Sequence, residues 1–129
     1  MNKLDGSYGG YALIDVLVAL FLFSIGFFVI FGLTETGYVK SRQASNLTKA
    51  VNIAWKTMER LSGRSWADNL AENECIPGDT VAGSEGLFEW TISADWETYP
   101  ELLEVETEVK WLENGKVCSY RLESLYYVD

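Results

Sequence analysis

Residues 10–33, GYALIDVLVALFLFSIGFFVIFGL, are an almost unbroken apolar run with a single charge, Asp15. Residues 11–33 number 23, and a helix of that length reaches about 35 Å, enough to cross a hydrocarbon core of about 30 Å. The run therefore predicts a membrane-crossing helix. A carboxylate inside such a span is expensive and marks a functional position by default. It needs a partner, and the alternative is a carboxylate that snorkels to the interface near the helix start.

The helix should not stop at Leu33. No proline occurs before Pro77, and Ala44, Leu47, Val51, Ala54, Met58 and Leu61 recur at alternating spacings of three and four. That spacing predicts one apolar stripe, the spine on which a small sheet packs, ending at Ser62-Gly63 with Arg60 in the last turn. Gly26 and Gly32 lie inside the apolar half, where glycine is better tolerated than in water and permits close helix contact. A softer spot is expected at Gly32, and no fixed kink.

Residues 65–86 read as irregular, punctuated by Asp68-Asn69, Pro77-Gly78-Asp79, Gly83 and Gly86, with Trp66 and Leu70 folding a short turn back on the spine. The period then changes to two. Residues 87–94 alternate Phe88, Trp90 and Ile92 with polar residues, and residues 103–111 alternate Leu103, Val105, Thr107, Val109 and Trp111 with Glu104, Glu106, Glu108 and Lys110. Asn114-Gly115 is a two-residue hairpin signal. Folding on it pairs Leu112 with Val117, Trp111 with Cys118, Val109 with Tyr120 and Thr107 with Leu122, and sets Glu108 against Arg121. The expected fold class is α+β: a long N-terminal α-helix, its first half transmembrane and its second half amphipathic, packed on a small antiparallel β-sheet of three or four strands. The expected segments are a leader over 1–10, a hydrophobic helix over 11–33, its amphipathic continuation over 34–62, and a loop and sheet over 63–129.

Net charge is −9 and histidine is absent. The first argues against a sequence-independent nucleic-acid binder, which needs cations to release phosphate counterions. The second removes the commonest general base and metal ligand. No nucleophile, base or metal constellation is visible, so neither an enzyme nor a metal or other cofactor is expected. Residues 34–64 carry six basic side chains against Glu35 and Glu59, whereas residues 65–109 carry twelve acidic and no basic ones. Two readings of that asymmetry stand: a solvated acidic face, or a polar interface between the acidic domain and the basic stem of a neighbour. Glu104, Glu106 and Glu108 fall on one exposed strand face and do not resemble a calcium loop or a glycosidase pair. Cys75 and Cys118 are the only cysteines. In an exported domain they are expected to form a structural disulfide that ties the loop to the last strand.

Residues 1–10, MNKLDGSYGG, are short, polar and glycine-rich. With Gly10, the aromatic Tyr11, Ala12-Leu13-Ile14, the acidic Asp15 and the apolar residues after it, they resemble the class III signal of type IV pilins and type II secretion pseudopilins. That family has a hydrophilic leader ending in Gly, an aromatic first mature residue, usually Phe, and Glu as the fifth. Tyr11 and Asp15 are chemically close departures. The strand ending in Trp, the Gly turn and the final strand are similar to small minor pilins and minor pseudopilins. The resemblance implies cleavage between Gly10 and Tyr11 by a prepilin peptidase, N-methylation of Tyr11, and pairing of Asp15 with the freed amine during recruitment of each subunit. It further implies insertion in a bacterial inner membrane with the C-terminal domain outside the cytoplasm. The implied partners are membrane lipid, an inner-membrane assembly platform and other pilin or pseudopilin subunits in a pilus, a DNA-uptake pseudopilus or a secretion pseudopilus. The alternative is a permanently membrane-anchored extracytoplasmic binding module.

Overall fold

A computed structural model describes residues 5–99 and 101–128, with only the backbone described for residues 5–9. Its elements, in chain order, are helix α1 (Asp5–Ser62), helix α2 (Trp66–Ala71) and strands β1 (Thr80–Glu85), β2 (Phe88–Trp96), β3 (Leu102–Glu113) and β4 (Lys116–Tyr127). By contacts the chain divides into two units, residues 1–42 and 43–129. The α+β expectation holds, with four strands.

α1 passes through Gly26, Gly32 and Gly37 without interruption. It also takes in residues 5–10 of the expected leader. Residues 5–10 are helical, because once a helix is nucleated each added residue gains a hydrogen bond for only two fixed dihedrals. Residues 1–4 of the expected leader lie outside the described residues.

In the second unit the sheet is a meander in the order β1-β2-β3-β4, antiparallel throughout. The β3–β4 hairpin has the register that its turn dictates: Leu112 faces Val117, Trp111 faces Cys118, Val109 faces Tyr120 and Thr107 faces Leu122. Asn114 and Gly115 both have positive φ, 50° and 75°, as a two-residue turn that matches strand twist requires.

The buried stripe of α1 is Ala50, Ile53, Ala54, Thr57, Met58 and Leu61. This corrects the expected spine: Ala44 and Leu47 are exposed and Val51 is only half-buried. The sheet gives the reason. Asn46 Nδ2 donates to Glu113 Oε1 (2.9 Å) at the hairpin end, so α1 has no sheet to pack on before that level. Thr57 is buried without penalty because its hydroxyl donates to the Ile53 carbonyl (2.8 Å).

Two core clusters fill the space between α1 and the sheet. One joins Ala50, Ile53 and Ala54 to Phe88, Val109 and Trp111. The other joins Met58 and Leu61 to Cys75, Ile92, Ala94, Leu103 and Val105. Trp90 and Leu122 pack against both. Trp90 can lie flat there only because its β1 partner is Gly83: a Cβ on Gly83 would stand 2.2 Å from the indole ring. Arg60 covers the Trp90 ring at 5.7 Å from the ring centroid and pairs with Glu74.

β1 was not expected, since residues 65–86 read as irregular. It exists because Val81 and Gly83 pair with Ile92 and Trp90, so packing across β2 overrides a poor strand sequence, TVAGSE. α2 turns back as Trp66 and Leu70 suggested. Asn69 is fully buried there and donates from Nδ2 to the Leu61 carbonyl (2.7 Å), satisfying one of the orphan acceptors at the end of α1.

Both cysteines are free, which corrects the expected disulfide. Cys75 sits in the cluster with Ala94 and Val105, just before the Pro77–Ala94 bridge, whereas Cys118 pairs with Trp111 and packs against the other cluster. Val105 and Trp111 are six residues apart on β3, about 20 Å at about 3.3 Å per residue. A disulfide needs Cα atoms within about 7 Å. Counting cysteines in an exported chain says nothing of where the fold puts them.

Candidate functional site

Tyr11 and Asp15 are four residues apart on α1, so their side chains lie on the same helix face, one turn apart. Both are exposed, and among the described residues nothing lies within 4 Å of where a Cβ on Gly10 would be. Among the described residues, Asp15 makes no ion pair and no hydrogen bond through its carboxylate.

The segment around it leaves its large apolar side chains about half to three-quarters exposed. Leu17, Phe21, Phe23, Phe27, Phe28 and Phe31 are each more than half exposed, and Phe23–Phe27 and Phe27–Phe31 stack along one side at centroid distances of 6.4 and 6.5 Å. α1 thus contains one stretch long and apolar enough to cross a membrane, none of it buried within the fold. So large a contiguous apolar surface marks a lipid or protein contact. At Gly26 and Gly32 nothing lies within 4 Å of where a Cβ would be, so both remain open to close approach by another helix. Ser24, Thr34 and Thr36 return their hydroxyls to the carbonyls four residues back, at 2.7, 2.9 and 3.0 Å, so these three donors are satisfied within the helix.

Away from α1, the titratable side chains form two local patterns on the outer sheet face. Lys110 and Arg121 flank Glu108, at 3.2 and 3.3 Å. Partial burial works to raise the Glu108 carboxyl, but the hydrogen bonds and charges of Lys110 and Arg121 outweigh it and hold the group below its ordinary value. Glu104 is the opposite case: desolvation, then the nearby charges of Glu97 and Glu123, a hydrogen bond to Glu97 and the charge of Glu106 push its carboxyl up. These glutamates are half-buried on the central strand, not fully exposed as the alternation implied, because β2 and β4 flank them on both sides.

The two shifts have opposite linkage. The folded state holds a proton on Glu104 more tightly than the unfolded chain does, so Glu104 lowers stability as pH rises through the carboxylate range. Glu108 contributes stability above its unfolded pKa, and that contribution is lost as pH falls through its lowered folded value. Glu104→Gln is expected to raise the melting temperature near neutral pH, with the gain vanishing in acid where the wild-type carboxyl is already protonated. Thermal melts of both proteins across that range check it, and a gain independent of pH would remove the repulsion from the account.

Cys75 is buried, and burial pushes its thiol above the ordinary range, which keeps it protonated and unreactive. Cys118 is half-buried, with Sγ 3.9 Å from Glu113 Oε2. Among the described residues no three His, Cys, Asp or Glu side chains are arranged to hold a metal ion.

A cleft of about 390 Å3 runs along the seam between α1 and β4, lined by Trp55, Met58, Leu122 and Tyr126 together with Glu59 and Glu123. Sequence reasoning missed it. Trp55 stands off the apolar stripe of α1, and only the placement of the edge strand beside it makes a groove. No protein-family model, curated protein or solved structure matches the chain.

Proposed function

We propose that this protein is a filament subunit of the type IV pilin-like class, most like a small minor pilin or minor pseudopilin. It is inserted in a bacterial inner membrane by the apolar half of α1, cleaved between Gly10 and Tyr11, N-methylated on Tyr11, and assembled with other subunits through that half. The sheet domain lies outside the cytoplasm and faces outward from the filament. The observation that carries this reading is the placement of Asp15. A carboxylate with no partner among the described residues sits one helical turn from the residue whose amine cleavage would free, at the head of an exposed apolar helix. In hydrocarbon that carboxylate is costly until it meets a cation, and the amine of Tyr11 on the same or an adjacent subunit is the cation within reach. Where the amine is that of an adjacent subunit, the pairing favours association, which separates assembly from simple residence in lipid.

N-terminal sequencing of the protein recovered from cells with a functional prepilin peptidase tests the proposal. The expected first residue is Tyr11. Recovery of a chain that still begins at Met1 would leave the permanently anchored binding module as the reading.

A further inference from the structure

The two edges of the sheet are built differently. Edge strands are usually blunted by shortness, proline, glycine, bulges or inward charges. β1 is blunted: it has six residues, Gly83 in its middle, and Glu85 on the face of Val81 and paired with Lys56 of α1. β4 has 12 residues, pairs among the described residues with β3 alone, and keeps one unbroken register from end to end. It contains neither proline nor glycine, and no charge shares the inner face of Leu122 and Tyr126. The two-residue turn makes Glu113↔Lys116 a hydrogen-bonded pair, and antiparallel pairs alternate from there. The even-numbered residues of β4 therefore bond to β3, while the N–H and C=O groups of the odd-numbered residues 117–127 point to the free edge.

The cleft lies on the inner side of that same edge. Trp55, Met58, Leu122 and Tyr126 supply its apolar walls, and none of its lining comes from β3, so it opens past β4. A strand laid along β4 would turn every second side chain into it. Strand addition draws affinity from main-chain hydrogen bonds and specificity from pockets for alternate side chains, and β4 offers both together.

We infer that β4 is a strand-addition site for an extended segment of a different protein, with large apolar side chains at alternate positions seated in the cleft. A second copy of this chain does not fit. α1 runs in the direction of β4, since Ala50 and Ile53 share a cluster with Cys118 and Tyr120, and Met58 and Leu61 one with Tyr126. Antiparallel β4–β4 pairing would thus point two α1 stems in opposite directions, although each leads back to an apolar stretch that ends at Leu33. Parallel β4–β4 pairing reverses one sheet and sets Arg121 and Glu123 against the cleft. The β1 of a copy would offer it Val81, Gly83 and Glu85, which leave it unfilled or charged. The inference does not depend on the filament-subunit reading, because a membrane-anchored module would present the same edge.

A phage-displayed library of random peptides as long as β4, panned on the full chain in lipid nanodiscs, tests this. The expected binders have large apolar residues at every second position. Synthetic peptides of residues 80–85 and 116–127 of this chain should not bind, and binding by either would overturn the assignment to a different protein. Glu123→Pro removes an edge N–H and no bond to β3, so it should weaken a selected peptide about tenfold, whereas Glu123→Ala should bind it as the wild type does. N-methylating the peptide at alternate residues makes the same cut while leaving the protein intact. One phase of methylation should abolish binding and the other should spare it. No enriched peptides, binders without the two-residue period, equal effects of the two phases, or unchanged binding to Glu123→Pro would overturn the strand-addition site.

Discussion

Asp15→Ala should leave the protein in the membrane and out of filaments. The argument turns on two opposed effects of one carboxylate. A charged side chain at the centre of a membrane-crossing helix costs about 2.5–3.5 kcal/mol on insertion scales, and less near the end where Asp15 lies, so its removal favours insertion or leaves it unchanged. The same removal deletes the only charged group within residues 11–33, and with it the interaction that, on the filament-subunit proposal, tells a neighbouring subunit from lipid. Membrane level and filament level should therefore part company. Immunoblots of membrane fractions and of sheared filaments from the same cells measure both. Asp15→Glu, which adds one methylene of reach, should assemble, and Asp15→Asn, which keeps the shape without the charge, should fail as Ala does. Normal incorporation of Asp15→Ala would show that the carboxylate is not the assembly handle.

Leu61→Ala should have the largest effect on stability. Leu61 is fully buried at the end of α1, in the cluster with Met58, Cys75, Ile92, Leu103 and Val105. Its carbonyl also receives Asn69, so the residue joins the spine to α2 as well as to the sheet. Truncating a buried leucine costs about 2–5 kcal/mol, through lost burial and the cavity left behind. Residues 43–129 form the unit that holds this core, and a domain of that size has a total stability of about 4–13 kcal/mol. The loss is thus a large share of the whole. Denaturant unfolding of the detergent-solubilised chain, followed by tryptophan fluorescence, should show the midpoint falling with little change in slope. A loss below about 1 kcal/mol would mean that the site collapses around the smaller side chain, contrary to the packing described.

Much of this was legible in the chain because local chemistry decided it. Asn114-Gly115 admits positive φ at both positions, so the turn, the register and the face of every residue from Thr107 to Leu122 follow from one dipeptide. Gly10, Tyr11 and Asp15 were legible through their spacing at the head of an apolar run. What was not legible depended on neighbours distant in sequence. β1 has a glycine, a serine and an alanine where strands favour branched residues, and it is held by Ile92 and Trp90 of β2. The phase of the α1 stripe was misjudged because Leu47 is apolar yet lies at the level where the sheet ends, and Trp55 is apolar yet faces the seam with β4. The disulfide failed for the same reason: compartment and parity constrain oxidation state, and only the fold sets the separation of Cys75 and Cys118.

The placement of Trp90 bears on how the domain comes apart. The two core clusters have different residues of α1 and different ends of the sheet, and Trp90 is one of two side chains that touch both. It reaches both because Gly83 leaves the space over its ring empty. Loss of order in one cluster therefore strips packing from the other, which makes melting a single cooperative event instead of two independent ones. A position with no side chain at all thus governs the cooperativity of the domain.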